Sequence, residues 1–284
     1  MTTGARVRLA ALAMVGSAWA AHALAGKEPP PVPAGRVEES KIDSTLYGRE
    51  RRVWVYTPPG YSPNAPADYD LLVAFDGGEY LEDIPLPGML DALLAERQAG
   101  PFVALLIDNA SSAERLADLA NHARFADFLA GELMDWARRR WRVTRDPHRI
   151  IVTGSSAGGL AAAYASLRHP EVFGNVLSQS GAFWRGNEGS NGAPYGWLTS
   201  QYAVEPRRDV RFVLEVGSRE SAGAMGGSAP SILEANRRLH EVLVAKGYSV
   251  IYSEVPDGGH APEFWRLRLP DAIATLARSW RGQS

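Results

Sequence analysis

The sequence contains no cysteine among its 284 residues. Disulfide bonds, cysteine-ligated zinc and thiol catalysis are therefore excluded. An excess of one charge is also missing, because the formal net charge is -2 and no block of like charges occurs. That balance argues against an extended basic surface for nucleic acid. With no histidine cluster of metal-ligand spacing either, we expect a small-molecule partner, no nucleic acid partner, and no metal or cofactor in catalysis.

Long apolar runs are equally scarce, and the run near the start is short for a membrane span, which needs about 20 residues. Two arginines precede the apolar run Leu9–Ala20, and Ala23-Leu24-Ala25 has small residues at the spacing that signal peptidase recognises. These features predict a secretory signal over residues 1–25 and a periplasmic or secreted location. They also predict no stable membrane insertion after its removal, with an uncleaved membrane anchor as the alternative.

What the sequence does have is a regular alternation of strand-like and helix-like patterns. A Pro-rich stretch over residues 26–34 predicts an extended linker, and the composition is sufficient for a single domain over residues 35–284. The fold class is α/β, a mostly parallel central sheet with helices on both faces and one early antiparallel edge strand. The predicted strands are Arg52–Thr57, Leu71–Phe75, Phe102–Ile107, Ile150–Thr153, Val176–Ser180, Arg211–Val216 and Ser249–Val255. The predicted helices are Met89–Arg97, Ala123–Trp141, Ala157–Leu167, Ile232–Ala245 and Pro270–Arg281.

A nucleophile motif follows the fourth predicted strand. Gly154-Ser155-Ser156-Ala157-Gly158 matches the pattern G-x-S-x-G between an apolar strand and a helix of small residues. In that context the turn is so sharp that only small neighbours fit, and the serine is held above the carboxyl edge of the sheet. A Gly/Ser-rich turn without chemistry is the alternative. The motif predicts the α/β-hydrolase fold with Ser156 as its nucleophile.

The nucleophile requires a base, because a serine hydroxyl alone is weakly reactive. In this fold the chain order is serine, acid, histidine. Of the six histidines, His260 is the one that follows a late strand, in a glycine-containing turn. Glu220, just past another predicted strand, is the expected acid that orients the imidazole. Asp257, in the same turn as His260, and a bare Ser–His dyad remain open alternatives.

An oxyanion hole requires backbone N–H donors that point at the tetrahedral intermediate. The N–H of Ala157, directly after the nucleophile at a helix N-terminus, is one predicted donor. The second is expected in the loop after Leu71–Phe75, where Gly77 and Gly78 let the backbone approach a substrate closely.

These motifs resemble those of the enterobactin esterase branch of the esterase D type α/β hydrolases. The resemblance extends from Val37 to Ala277 and is densest over His148–Gly159 and Phe173–Trp184. It implies an enzyme that hydrolyses ferric catecholate siderophores, which are cyclic triesters of acylated serine, through an acyl-enzyme, so that iron is released. Two forms of the family exist. This chain resembles the shorter periplasmic form, without the extra N-terminal domain of the cytoplasmic form.

Several positions bear on the substrate pocket. The chain departs from the family pattern at Ala261, where an acidic residue is frequent, and at Asp118, where glutamate is usual. The segment from Trp184 to Tyr202 is long enough to form a lid or wall. A pocket for an anionic, aromatic ligand combines arginines with stacking rings. The residues predicted to bind substrate are Arg115, Trp184, Arg185, Tyr195, Trp197 and Arg219.

Two other functions are compatible with the sequence. The first is another exported carboxylic esterase, such as a feruloyl or acetyl polysaccharide esterase, because fold relatives share the triad and differ in their loops. The second is a siderophore-binding protein that retains the hydrolase fold without chemistry. The presence of Ser156, Glu220 and His260 together argues against the second.

Overall fold

The computed structural model of the protein describes residues 32–186, 195–224 and 227–281. The predicted secretory signal, residues 1–25, and most of the predicted linker, residues 26–34, lie outside the described residues. The location outside the cytoplasm therefore stays a prediction, as do the segment boundaries. None of the described helices combines the length and the hydropathy that a membrane span requires.

The centre of the fold is an eight-stranded sheet with the order β1-β2-β4-β3-β5-β6-β7-β8. From β3 to β8 every neighbouring pair is parallel, whereas β2 pairs antiparallel with both β1 and β4. The strands are β1 Arg36–Ser44, β2 Arg49–Thr57, β3 Asp70–Phe75, β4 Phe102–Ile107, β5 Ile150–Ser155, β6 Asn175–Gln179, β7 Arg211–Gly217 and β8 Ser249–Val255. All seven predicted strands are present, including the early antiparallel one, β2. That strand is not at the edge of the sheet, because β1 pairs with it on the outer side.

Strand β1 is absent from the sequence prediction for a physical reason. Its nine residues are mostly exposed and rich in charge, and it pairs only with β2 at the edge of the sheet. Charged side chains are common on edge strands, where they discourage pairing with another chain. The hydrophobic pattern that identifies a buried strand is therefore lacking.

The helices occupy both faces of the sheet. The helices are α1 Gly77–Glu82, α2 Leu86–Ala95, α3 Ser112–Asp118, α4 Ala123–Phe128, α5 Met134–Arg140, α6 Ala157–Arg168, α7 Trp197–Val204, α8 Ile232–Ala245 and α9 Pro262–Arg281. A π-helical turn, Leu129–Leu133, joins α4 to α5, so the predicted helix over Ala123–Trp141 is present with one wide turn in it.

The predicted start of α9 at Pro270 is wrong, because the helix begins at Pro262. A proline inside a helix removes a backbone hydrogen bond, whereas a proline in the first turn does not, so the sequence at Pro270 is typical of a helix start. However, Trp265, Leu269 and Ile273 recur at four-residue spacing and are all buried. Burial of this continuous apolar face against the sheet outweighs the cost of the interior proline.

The central strand β3 shows how the core is divided. Leu71, Val73 and Phe75 belong to one cluster of buried residues, which includes side chains from α4 to α8. Leu72 and Ala74 belong to the second cluster, with side chains from α1, α2 and α9. Successive side chains of a strand point to opposite faces, so the two clusters lie on the two sides of the sheet. The carboxyl edge of the parallel strands is thereby held between two packed layers of helices.

Candidate active site

The turn between β5 and α6 holds Ser156 in an uncommon conformation, with φ 54° and ψ -117°. Non-glycine residues rarely adopt positive φ, and such strain is concentrated at functional sites. The turn requires Gly154, since a Cβ there would lie 2.7 Å from the Cα of Gly158. Within Ile150–Leu160 every residue except Ser156 is buried. The serine is therefore the one partly exposed residue of a buried turn.

Glu220 and His260 are in direct contact. Oε2 of the carboxylate lies 2.8 Å from Nδ1 of the imidazole, and the glutamate side chain is only 3% exposed, against 37% for the histidine. An ionised carboxylate can only accept hydrogen bonds. The contact therefore assigns the proton to Nδ1 and leaves Nε2 with its lone pair, the form in which histidine acts as a general base.

Asp257, the alternative acid, has a different partner. Its Oδ1 lies 2.9 Å from Nη2 of Arg219, and the two side chains are 83% and 66% exposed. Arg219, which was predicted to bind substrate, is therefore engaged in a surface ion pair. Of the two acids considered from the sequence, the geometry supports Glu220 as the partner of His260.

The sheet order explains why residues distant in sequence meet. Strands β5, β6, β7 and β8 are consecutive neighbours, so the segments that follow them emerge side by side at one edge. The segments after β7 and β8 approach closely at two glycines, because a Cβ on Gly217 would lie 2.4 Å from the carbonyl oxygen of Gly258. That oxygen also accepts a 3.0 Å hydrogen bond from the N–H of Arg219. This close approach keeps Glu220 beside His260.

The predicted oxyanion-hole residues lie at two helix N-termini. Ala157 is the first residue of α6, and Gly77 and Gly78 are the first residues of α1, where the sequence predicted a loop. Helix N-termini present unpaired N–H groups and a partial positive charge. The N–H groups and the partial charge are both suited to stabilise a developing oxyanion. Asp76, the residue before α1, has a positive φ of 58°.

Two side-chain contacts fix the position of α1. Asp76 receives a bidentate ion pair from Arg115, with Nε–Oδ1 and Nη2–Oδ2 distances of 2.6 Å each. In the first turn of α1, Oε1 of Glu79 accepts a 2.9 Å hydrogen bond from the hydroxyl of Ser155, the neighbour of the nucleophile. Burial raises the pKa of Glu79, and the hydrogen bond from Ser155 acts in the opposite direction. The first turn of α1 is thus connected to α3 and to the nucleophile turn.

Asp118, which stands where glutamate is usual in the family, makes contacts that hold the fold together. Its side chain is 2% exposed, lies 2.8 Å from Nη1 of Arg51, and accepts a 2.6 Å hydrogen bond from the hydroxyl of Tyr47. The departure from the family pattern predicts a change in the substrate pocket at this position. Its contacts instead anchor α3 to the β1–β2 hairpin, and α3 carries Arg115.

Three of the residues predicted to bind substrate, Trp184, Arg185 and Tyr195, lie near one another. The rings of Trp184 and Tyr195 have centroids 6.4 Å apart, and the guanidinium of Arg185 lies 5.9 Å from the Trp184 ring. Burial, and then the positive charge of Arg115, lower the pKa of Arg185. Trp197 begins α7, and its ring packs against Tyr164 with centroids 5.9 Å apart.

Sequence reasoning did not identify Ser180, which directly follows β6 and contacts Glu220. The available signal was a polar residue immediately after a buried strand, at the position that Ser156 occupies after β5. In the part of the chain that the structure describes, no three His, Asp or Glu side chains are grouped so as to hold a metal ion.

The two glycines of α1 are predicted to differ in their effect on stability. A Cβ on Gly77 would lie 2.9 Å from the backbone of Leu106, whereas a Cβ on Gly78 would meet nothing within 4 Å. We expect Gly77→Ala to lower the free energy of unfolding by about 1–3 kcal/mol, and Gly78→Ala to leave it unchanged. Thermal unfolding of the two variants tests this, and equal melting midpoints would contradict the packing argument.

Comparisons with known proteins agree with this architecture. The family model described as "Putative esterase" matches residues 44–276. The chain is 34% identical over 260 residues to the iron(III) enterobactin esterase of Dickeya dadantii, covering 87% of this chain and 56% of that protein. The structure of the enterobactin esterase from Shigella flexneri in the presence of enterobactin has a TM-score of 0.74 at 30% identity, covering 86% of this chain and 60% of that chain. The predicted resemblance to enterobactin esterases is therefore confirmed.

The predicted fold class is confirmed as well. A ferulic acid esterase structure, 17% identical, has a TM-score of 0.72 and is covered over 98% of its length. At that identity the likeness concerns the fold alone. The chain spans less than two thirds of the length of the enterobactin esterases that it matches.

Proposed function

The chain belongs to the esterase family, and from that premise we propose that it is a serine esterase that hydrolyses the ester bonds of a catecholate siderophore. The observation that carries the proposal is the contact between Glu220 and His260, in segments that leave the same sheet edge as the strained turn with Ser156. A buried carboxylate that fixes one imidazole tautomer, at the sheet edge that carries a partly exposed serine, is suited to acyl transfer.

The proposed reaction has two steps. In the first, Nε2 of His260 takes the proton of the Ser156 hydroxyl as its oxygen attacks the ester carbonyl. The resulting oxyanion is stabilised by the N–H of Ala157 and by the N-terminus of α1. His260 then returns the proton to the departing alkoxide, which leaves an acyl-enzyme. In the second step, water attacks the acyl group with His260 as base, and the acid and free Ser156 are released.

The substrate class is proposed from the residues near the site together with the relatives. Trp184 and Tyr195 offer aromatic faces, and Arg185 contributes positive charge. Such a combination suits ligands that are both aromatic and anionic, as catecholates are. The relatives from Dickeya dadantii and Shigella flexneri are named for enterobactin. Ferric ion, where present, would arrive with the substrate.

The test is turnover of ferric and iron-free enterobactin by the purified protein, with product masses followed over time. We expect stepwise conversion of the cyclic triester into linear trimer, dimer and monomer of 2,3-dihydroxybenzoylserine. Feruloyl esters and a simple aryl acetate are assayed in parallel. Cleavage of the aryl acetate and feruloyl esters without cleavage of enterobactin would retain the esterase and reject the siderophore. Tight binding of enterobactin with no acylation in a single turnover would reject the enzyme.

A further inference from the structure

Ser180 is a buried polar residue that the proposed reaction does not use. It directly follows β6, is 1% exposed, and has a positive φ of 52°. Its N–H donates a 2.7 Å hydrogen bond to the carbonyl oxygen of Glu215 in β7. A non-glycine residue in this conformation costs free energy, and such residues are frequent at functional sites.

The Ser180 side chain lies in a hydrogen-bonded chain with a fixed direction. Nε1 of Trp265 donates to its hydroxyl oxygen at 3.0 Å, and the hydroxyl lies 2.5 Å from Oε1 of Glu220. The indole N–H can only donate, so the serine oxygen accepts from Trp265 and its own proton is directed to Glu220. The N–H of Gly217 donates to the same Oε1 at 2.9 Å.

These two donors decide how Glu220 meets the imidazole. Because Oε1 accepts from Ser180 and Gly217, the carboxylate cannot rotate without losing both hydrogen bonds, and Oε2 is left for Nδ1 of His260. Both hydrogen bonds are charge-assisted and favour the ionised acceptor. The series of hydrogen bonds from Trp265 through Ser180 to Glu220 thus ends at a carboxylate oxygen that accepts from His260, which assigns the Nδ1–H tautomer to the imidazole.

Trp265 also contacts the other end of this chain. Its ring meets the ring of His260 edge to face, with centroids 5.1 Å apart and an interplanar angle of 90°. Trp265 lies in the first turns of α9, where its backbone carbonyl oxygen accepts a 2.9 Å hydrogen bond from Nε2 of Gln179. One tryptophan thus supports the imidazole directly and orients its acid through Ser180.

We propose that Ser180 and Trp265 are positioning residues, which hold Glu220 in the orientation that gives His260 the basic Nε2. The inference rests on the proposed function. The segment after β6 and the start of α9 would then set the imidazole tautomer, and neither Ser180 nor Trp265 would need to contact the substrate.

The test compares three variants with the parent on a simple aryl acetate. Ser180→Ala and Trp265→Phe each remove one donor and retain most of the packing, and Ser180→Gly removes the hydroxyl while suiting the positive φ. We expect kcat to fall by about 10- to 100-fold in each, with KM unchanged, because the catalytic geometry is lost and the pocket is intact. Ser178→Ala is the matched control. Ser178 lies in β6 and, like Ser180, is buried. Its hydroxyl has no hydrogen-bond partner among the described residues. We expect parental kcat in this control.

A spectroscopic measurement separates positioning from general stability. Nitrogen NMR of labelled protein reports the tautomer of His260 in each variant. We expect the Nδ1–H form in the parent and in Ser178→Ala, and a mixture of tautomers in the three test variants. Parental kcat and an unchanged tautomer in Ser180→Gly and Trp265→Phe would overturn the inference. If the parent hydrolyses no ester, the proposed function fails, and the tautomer measurement still decides the role of Ser180 and Trp265.

Discussion

Replacement of Ser156 by alanine is expected to lower kcat by about 10⁶-fold, the loss that accompanies removal of the nucleophile in serine hydrolases. Alanine retains the Cβ, so the turn with its positive φ keeps the same backbone strain. The side chain is partly exposed, and we therefore expect the melting midpoint of Ser156→Ala to match that of the parent. Ester turnover and thermal unfolding, measured on the same preparation, test both parts.

The matched control for this experiment is Ser166→Ala. Ser166 lies in α6, is fully buried, and has a hydroxyl without a hydrogen-bond partner among the described residues. We expect this variant to retain parental turnover. A fluorophosphonate label followed by peptide mass mapping identifies the reactive serine independently. Labelling at another serine, or parental turnover in Ser156→Ala, would reject the assignment of the nucleophile.

Much of the fold could be predicted because its strongest signals are local. β5 begins with the apolar run Ile150–Val152 and ends in small residues, and the nucleophile turn needs those small residues for steric reasons. The chain order of the fold then selects His260 and an acid after β7. The contact between Glu220 and His260 has the form that this order predicts.

Other features could not be predicted, because they depend on contacts between distant parts of the chain. The hydrogen bonds that give Ser180 its role span 40 and 85 residues of sequence. Ser166, Ser178 and Ser180 are all buried serines, and of these only Ser180 has a side-chain hydrogen bond among the described residues. Composition and periodicity do not distinguish the three. The same limit applies to Arg115, which forms an ion pair with Asp76 in the segment after β3. A residue predicted from the sequence to bind substrate therefore fixes the position of α1.

Replacement of Glu220 by glutamine is expected to lower kcat by about 10⁴-fold, or about 5 kcal/mol of transition-state stabilisation. Ser180 and Gly217 both donate to the position of Oε1, so the amide oxygen of the glutamine will occupy that position. Its NH₂ group then faces His260, which must place its proton on Nε2 and present Nδ1 as an acceptor. A protonated Nε2 cannot take the proton of Ser156, which explains the large loss despite the nearly identical shape of the side chain.

Asp257→Asn provides the opposing case. The ion pair between Asp257 and Arg219 is exposed, and such pairs contribute about 0–1 kcal/mol to stability. We therefore expect parental turnover and a nearly unchanged melting midpoint, since neither residue contacts the Glu220–His260 pair through its side chain in the described structure. Steady-state kinetics of both variants on one aryl ester decides between the two acids. Loss of activity in Asp257→Asn with activity retained in Glu220→Gln would transfer the acid role to Asp257, and activity in both variants would mean that Ser156 and His260 act as a dyad.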